Sequence, residues 1–193
     1  MFPNGGDWDF LKMHYDVTDA TKAIIASGLV DPQRVAIMGG SFGGWLAMEG
    51  LADNPELYRC AVTIAGVFDW GQFFEDKKRD VEHFSDATFQ TMLIREGDPD
   101  THAEKFAALS PLRHMDRVQS PVFVAHGGYD PIADIGQSKR LISELEKRNI
   151  PHDSYFVLEE SHGMHHLANQ AALYSRIEAF LGKYLMAAPP PSR

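Results

Sequence analysis

Arg34-Val-Ala-Ile-Met-Gly-Gly-Ser-Phe-Gly-Gly-Trp45 constrains what this chain can fold into more than any other stretch. An apolar run, Val35 to Met38, meets Gly39-Gly40-Ser41-Phe42-Gly43 and then turns into a helix-compatible segment, Trp45 to Leu51. Strand, sharp turn and helix follow one another, with G-x-S-x-G at the corner. A corner this tight forces Ser41 into a strained backbone conformation, and small residues on both sides let strand and helix pass closely. The hydroxyl is then held out at the end of a sheet, at the positive end of a helix. A bare G-x-S-x-G can equally be a glycine-rich turn with a surface serine. The strand before it and the helix after it argue against that here.

A serine hydroxyl is a poor nucleophile until a base takes its proton, so the chain must supply that base. Pro121-Val-Phe-Val-Ala-His-Gly-Gly-Tyr-Asp130 reads as a buried strand ending in glycines and an aspartate. Tyr155-Phe-Val-Leu158 followed by Glu159-Glu-Ser-His-Gly163 reads as another strand with a histidine just past its end. The chain order Ser41, Asp130, His162 is the order of an α/β-hydrolase triad. Each residue follows the carboxyl end of a predicted strand, where open parallel sheets place their ligand sites.

A pass along the chain gives alternating strands and helices, which predicts an α/β fold with a parallel sheet and right-handed crossovers. Val17, Ala20 and Ile24 follow helical spacing, and Gly28 with Asp31-Pro32 ends that helix. Strands are expected at Val35–Met38, Ala61–Ala65, Val122–Ala125 and Ser154–Leu158. A helix from about Ile135 to Arg148 turns Leu141, Ile142 and Leu145 inward. The last helix carries Leu167, Ala171, Tyr174, Ile177, Leu181 and Tyr184 on one side. Residues 1–186 read as one catalytic domain, and 187–193 as a disordered Pro-rich tail.

Val35-Ala-Ile-Met-Gly-Gly-Ser-Phe-Gly-Gly44, Ala65-Gly-Val-Phe-Asp-Trp70, Gly97-Asp-Pro99, Ser110-Pro-Leu112, His126-Gly-Gly-Tyr-Asp130 and Glu160-Ser-His-Gly163 together resemble the catalytic domain of the prolyl oligopeptidase (S9) family of serine peptidases. Lys12-Met-His-Tyr-Asp-Val17 adds to the likeness, which runs from about Asn4 to Leu185. The resemblance implies an α/β-hydrolase fold with Ser41 as nucleophile, Asp130 as orienting acid and His162 as general base. It makes the backbone N–H of Phe42 one oxyanion donor. Val67, Phe68 and Trp70 could line the pocket for the residue before the scissile bond, though core packing explains them as well. The family's His-Gly-Gly loop and Asn-x-Arg-Gly segment have no counterpart before Lys12. The expectation is therefore an N-terminally shortened domain without the family's second oxyanion donor or its β-propeller. Its first strand would then be an exposed edge, so self-association by edge pairing or swapping is expected.

These readings imply a serine hydrolase cleaving peptide or acyl-amino bonds of small substrates through an acyl-enzyme. A short-chain carboxylesterase and a non-catalytic fragment or interaction module are the alternatives. The chemistry needs no cofactor and no metal. His162, His165 and His166 with Glu159 and Glu160 could suggest a metal cluster, but the triad needs only one histidine, and His165 and His166 fall at a helix start. His126 precedes the acid loop and reads as structural. The charged and aromatic stretches Phe73-Phe-Glu-Asp-Lys-Lys-Arg79 and Glu82-His-Phe84 read as a solvated helical excursion rather than a lid.

A formal net charge of -9 argues against nucleic acid and anionic membranes as partners. No apolar run approaches the roughly 20 residues needed to span a bilayer, and the start lacks a signal-peptide pattern. A cytoplasmic location is expected. The single cysteine, Cys60, excludes an intrachain disulfide and sits beside an apolar run, as a buried thiol would.

Overall fold

The structure is a computed structural model that describes residues 9–79 and 86–186. Its elements run α1 (Phe10–Ala26), β1 (Ala36–Gly40), α2 (Phe42–Asp53), β2 (Cys60–Ile64), α3 (Trp70–Arg79), α4 (Asp86–Glu96), α5 (Ala103–Ala108), β3 (Val122–Gly127), α6 (Gly136–Lys147), β4 (His152–Val157) and α7 (Leu167–Leu185). Among the described residues the strands form one parallel sheet in the order β1-β2-β3-β4. The register aligns Gly40 with Ile64, Ile64 with Ala125, and Gly127 with Val157. All four strands therefore end along one edge, and the loops leaving that edge carry Ser41, residues 65–70, Asp130 and His162.

Both faces of the sheet are covered, so β2 and β3 read as nearly unbroken apolar runs. Side chains alternate between the two faces. Ala61, Val122 and Val124 pack with Met48 and Leu51 of α2 and Leu141 and Leu145 of α6. Val62, Phe123 and Ala125 pack on the other face with Leu173, Ile177 and Phe180 of α7. A third cluster gathers Phe10, Trp45, Val67, Trp70, Phe73, Phe74 and Phe106 from α1, α2, α3, α5 and the loop after β2. The Trp45 indole N–H donates to the Leu109 carbonyl at 2.7 Å, which satisfies a polar atom inside this aromatic layer.

Two helices turn a different face inward from the one their apolar spacing predicts. α1 buries Phe10, His14 and Thr18, while Ile24 is half exposed. Polar pairing sets this face: His14 Nε2 lies 3.1 Å from Asp53 Oδ2, and the Thr21 and Tyr58 hydroxyls meet at 3.1 Å. α7 centres its buried face on Leu173, Ile177 and Phe180, leaving Leu167 and Tyr174 exposed. α7 is apolar over more than one face, so sequence periodicity did not single out the buried one.

The stretch from Trp70 to Leu112 is more than a solvated excursion. Phe73, Phe74 and Phe106 are buried in the aromatic layer, and Lys77 is buried with its ammonium donating to the Pro131 carbonyl. Lys78, by contrast, is a surface cation bridging Asp98 and Asp100. Glu82-His-Phe84 and the Pro-rich tail 187–193 lie outside the described residues. Cys60 is buried, and burial pushes its thiol up to about 11, so it is a packing residue rather than a nucleophile.

Candidate active site

Ser41 sits at the corner between β1 and α2 with φ 55° and ψ −121°. Few non-glycine residues adopt this conformation, and it persists because the surroundings hold it. The Ser41 N–H donates to the Ile64 carbonyl at 2.8 Å, tying the corner to the end of β2. The glycines are required by contact. A Cβ on Gly39 would overlap the Gly43 carbonyl, and one on Gly44 would come within 2.6 Å of Thr63 Oγ1 and 3.0 Å of Gly66 Cα. Ser41 makes no side-chain bond to cap α2, so its hydroxyl is available for other partners. The N–H groups of Phe42 and Gly43, in the first turn of α2, have no carbonyl within the helix to bond.

The structure brings Ser41, His162 and Asp130 together although they lie on three separate loops. His162 Nε2 is 2.8 Å from Ser41 Oγ, and His162 Nδ1 is 2.7 Å from Asp130 Oδ2. A carboxylate can only accept, so Nδ1 carries the proton and Nε2 presents its lone pair to the serine hydroxyl. Asp130 has no exposed side-chain surface. Burial would raise its carboxyl, but hydrogen bonds from His126, His162 and the Ala133 N–H, with the charge of His162, hold it well below the usual carboxylate range. Its Oδ1 accepts the N–H groups of Ile132 and Ala133 at 2.8 and 2.9 Å. The acid is therefore fixed and ionised.

The acid and histidine loops touch directly. The Gly128 N–H donates to the Val157 carbonyl and the Tyr129 N–H to the Glu160 carbonyl, both at 2.8 Å. A Cβ on Gly127 would collide with the Glu160 and Ser161 carbonyls, which explains the pair Gly127-Gly128 between His126 and Asp130. Beyond His162, buried Glu160 organises the start of α7. Its carboxylate accepts the N–H groups of His165 and His166 at 2.8 and 3.0 Å, the His166 ring at 2.8 Å and the Asn169 amide at 2.8 Å. His165 and His166 thus serve the helix start, and no group of metal-ligating side chains occurs among the described residues.

The backbone bond from His165 outweighs the opposing effect of burial, and with the Asn169 and His166 bonds it holds Glu160 down to about 2. A depressed carboxylate adds stability above its ordinary value of 4.5 and loses it as the pH falls towards 2. Urea midpoints measured against pH are therefore expected to drop across that window, and Glu160→Gln to lose much of the drop. A Glu160→Gln profile that falls as steeply as wild type contradicts this account.

The third loop at this edge, residues 65–70, begins with Ala65 at φ 50°. Gln137, on the first turn of α6, clamps it from the acid side. Its Oε1 accepts the N–H groups of Phe68 and Asp69, both at 2.9 Å, and its Nε2 donates to the Asp69 carbonyl at 3.0 Å. The Trp70 N–H finds Ser110 Oγ at 2.9 Å. Val67 and Trp70 join the aromatic layer with Phe42, whose ring lies 4.9 Å from those of Phe10 and Trp45. Phe68 takes the core position instead, fully buried against the sheet with Met48 and Leu51. Gln137→Leu would strand the buried Phe68 N–H, at about 1–3 kcal/mol, and the part-buried Asp69 N–H beside it. A urea-melt loss below about 0.5 kcal/mol would contradict the clamp.

Sequence reasoning set His126 aside as structural. The structure places its Nε2 at 3.1 Å from the same Asp130 Oδ2 that meets His162.

Residues 11–188 match the sequence pattern of the prolyl oligopeptidase family. The chain belongs to that family. It is 30% identical over 187 residues to dipeptidyl aminopeptidase BIII of Pseudoxanthomonas mexicana, covering 95% of this chain and 27% of that protein. It is 23% identical to mouse prolyl endopeptidase FAP over 86% of this chain and 21% of that protein. Among solved structures, a Mycobacterium tuberculosis puromycin-hydrolyzing peptidase superposes with a TM-score of 0.81 at 27% identity, over 93% of this chain and 26% of that one. The chain thus spans about a quarter of the length of the prolyl oligopeptidase family relatives that it matches. The α/β-hydrolase fold expected from the sequence is the fold of these neighbours. No helix among the described residues is long and apolar enough to cross a membrane.

Proposed function

We propose that this chain is a serine hydrolase that cleaves peptide or acyl-amino bonds of small substrates. The observation that carries the reading is the relay Ser41–His162–Asp130, at 2.8 and 2.7 Å, on a serine held at φ 55°. Ser41 Oγ attacks the carbonyl carbon while His162 Nε2 takes its proton, and the carbonyl π electrons move to oxygen. The Phe42 N–H and the start of α2 face the developing oxyanion. Collapse expels the leaving group, which takes the proton from His162, and leaves Ser41 acylated. Water then repeats the sequence, protonating Ser41 and releasing the acid. Asp130 stays ionised and keeps His162 in the working tautomer. Phe42, Val67 and Trp70 supply the apolar wall beside Ser41 in this reading. Relatives whose names state aminopeptidase and puromycin-hydrolyzing activity make aminoacyl amides the first substrates to try.

The test compares an aminoacyl anilide with the matching aryl ester on wild type and Ser41→Ala. Ser41-dependent turnover of both supports the peptidase reading. Turnover of the ester alone favours the carboxylesterase. A folded sample that turns over neither leaves the interaction-module alternative.

We also propose that the chain self-associates through β1. Among the described residues β1 pairs on one side only. Half-exposed Met38 continues into an apolar groove with Tyr174, Ile177, Leu181 and Leu185 of α7. Light scattering at micromolar concentration is expected to show species larger than the monomer; a clean monomer contradicts it.

A further inference from the structure

We infer that His126 is a positioning residue for the acid: it holds Asp130 Oδ2 from the side opposite His162 and tunes how strongly that oxygen draws on the base. The inference rests on the triad reading above. Asp130 Oδ1 is taken by two backbone N–H groups, whereas Oδ2 meets two imidazoles, His162 Nδ1 at 2.7 Å and His126 Nε2 at 3.1 Å. His126 Nε2 also lies 2.9 Å from the Ala133 carbonyl. Both of its neighbours are acceptors, so Nε2 carries the proton, which the Ala133 carbonyl accepts at 2.9 Å with Asp130 Oδ2 beside it at 3.1 Å. Its Nδ1 lies 2.7 Å from Ser138 Oγ, and in the neutral ring it accepts that hydroxyl. The ring is fully buried and fixed at both ends.

The geometry has two consequences. The carboxylate cannot rotate away from His162 without breaking the bond to His126. The His126 N–H also draws charge from Oδ2, so His162 faces a less basic oxygen than it would if it were alone there. Removing that donor leaves the full charge to His162, and a better-stabilised imidazolium delays the base to higher pH. Other charges near the pair are Asp134 on the acid loop, Asp76, Lys77 and Arg79 of α3 across the cavity that Asp130 borders, and Glu160 behind the histidine loop. His162 Nδ1 and His126 Nε2 are the groups that approach Oδ2 directly, at 2.7 and 3.1 Å. In sequence, the signal is a histidine four residues before the acid, with a Gly-Gly turn between them.

The test is the rate of fluorophosphonate labelling against pH for wild type, His126→Phe, which keeps a ring without a donor, and His126→Gln, which keeps an N–H near the Nε2 position. His126→Phe is expected to lower the plateau about 10- to 100-fold, as losing the partner behind an orienting group does. Its ascending limb should move to higher pH by up to about one unit. His126→Gln should recover most of both. An unchanged His126→Phe profile overturns the inference. So does a lower plateau with an unmoved limb and no rescue by glutamine, which is the signature of a merely structural ring. If His126→Phe does not fold, Ser138→Ala decides: a smaller shift in the same direction supports the inference, and an unchanged profile overturns it. A folded wild type that never labels overturns the triad reading itself, and this inference with it.

Discussion

Ser41→Ala is expected to lower turnover of an activated aryl ester by a factor on the order of 10⁶, with the fold intact. The size follows from what the hydroxyl is joined to. Its oxygen is 2.8 Å from a base whose tautomer is fixed by a buried carboxylate, so deleting Oγ idles the whole relay at once. What remains is the positive end of α2 beside the substrate, which still stabilises an oxyanion but has nothing to attack with. The change removes one polar atom at a corner held by backbone contacts, namely the Ser41 N–H to Ile64 and the close passage of Gly39 over Gly43. Melting of the alanine variant should therefore follow wild type within about 0.5 kcal/mol. Equal turnover by the two proteins would mean that another group carries the reaction.

Asp130→Asn is expected to cost about 10⁴ in the same assay, because it inverts the hydrogen-bond logic without changing shape. Oδ1 accepts two backbone N–H groups, so the asparagine carbonyl must stay on that side. The amide nitrogen then replaces Oδ2 and points two protons at two imidazole nitrogens that were themselves donors. His162 relieves the clash by moving its proton to Nε2, which turns an N–H rather than a lone pair toward Ser41. His126 has no such freedom, because its Nε2 also serves the Ala133 carbonyl. Asn should thus be as damaging as Ala at this position, although it is nearly the same size. An asparagine variant with more than a tenth of wild-type turnover contradicts this account of the acid.

Much of this site was legible in the chain because its chemistry sits where strands end. Gly39-Gly40-Ser41-Phe42-Gly43, Asp130 after Gly127-Gly128, and His162 after Glu160-Ser161 each follow an apolar run, and a parallel sheet brings such ends to one edge. The structure moves the strand limits by at most two residues. What was not legible depends on partners distant in sequence. The inward face of α1 is set by His14 meeting Asp53 and Thr21 meeting Tyr58, polar pairs that a search for apolar spacing passes over. The split between Val67 and Trp70 at the aromatic layer and Phe68 in the core depends on Ala65 at φ 50° and on Gln137 from another helix. Nothing within residues 65–70 announces either. His126 read as structural because it precedes the acid loop, and its contact with Asp130 follows only from how the Gly-Gly turn folds back.

The claim that Ser41, His162 and Asp130 act as one unit is tested by intact-mass analysis after fluorophosphonate treatment. Wild type is expected to gain one adduct, mapped to the peptide carrying Ser41, while Ser41→Ala and His162→Ala gain none over the same time. An adduct that persists in His162→Ala at the wild-type rate, or a folded wild type that gains none, would contradict the claim.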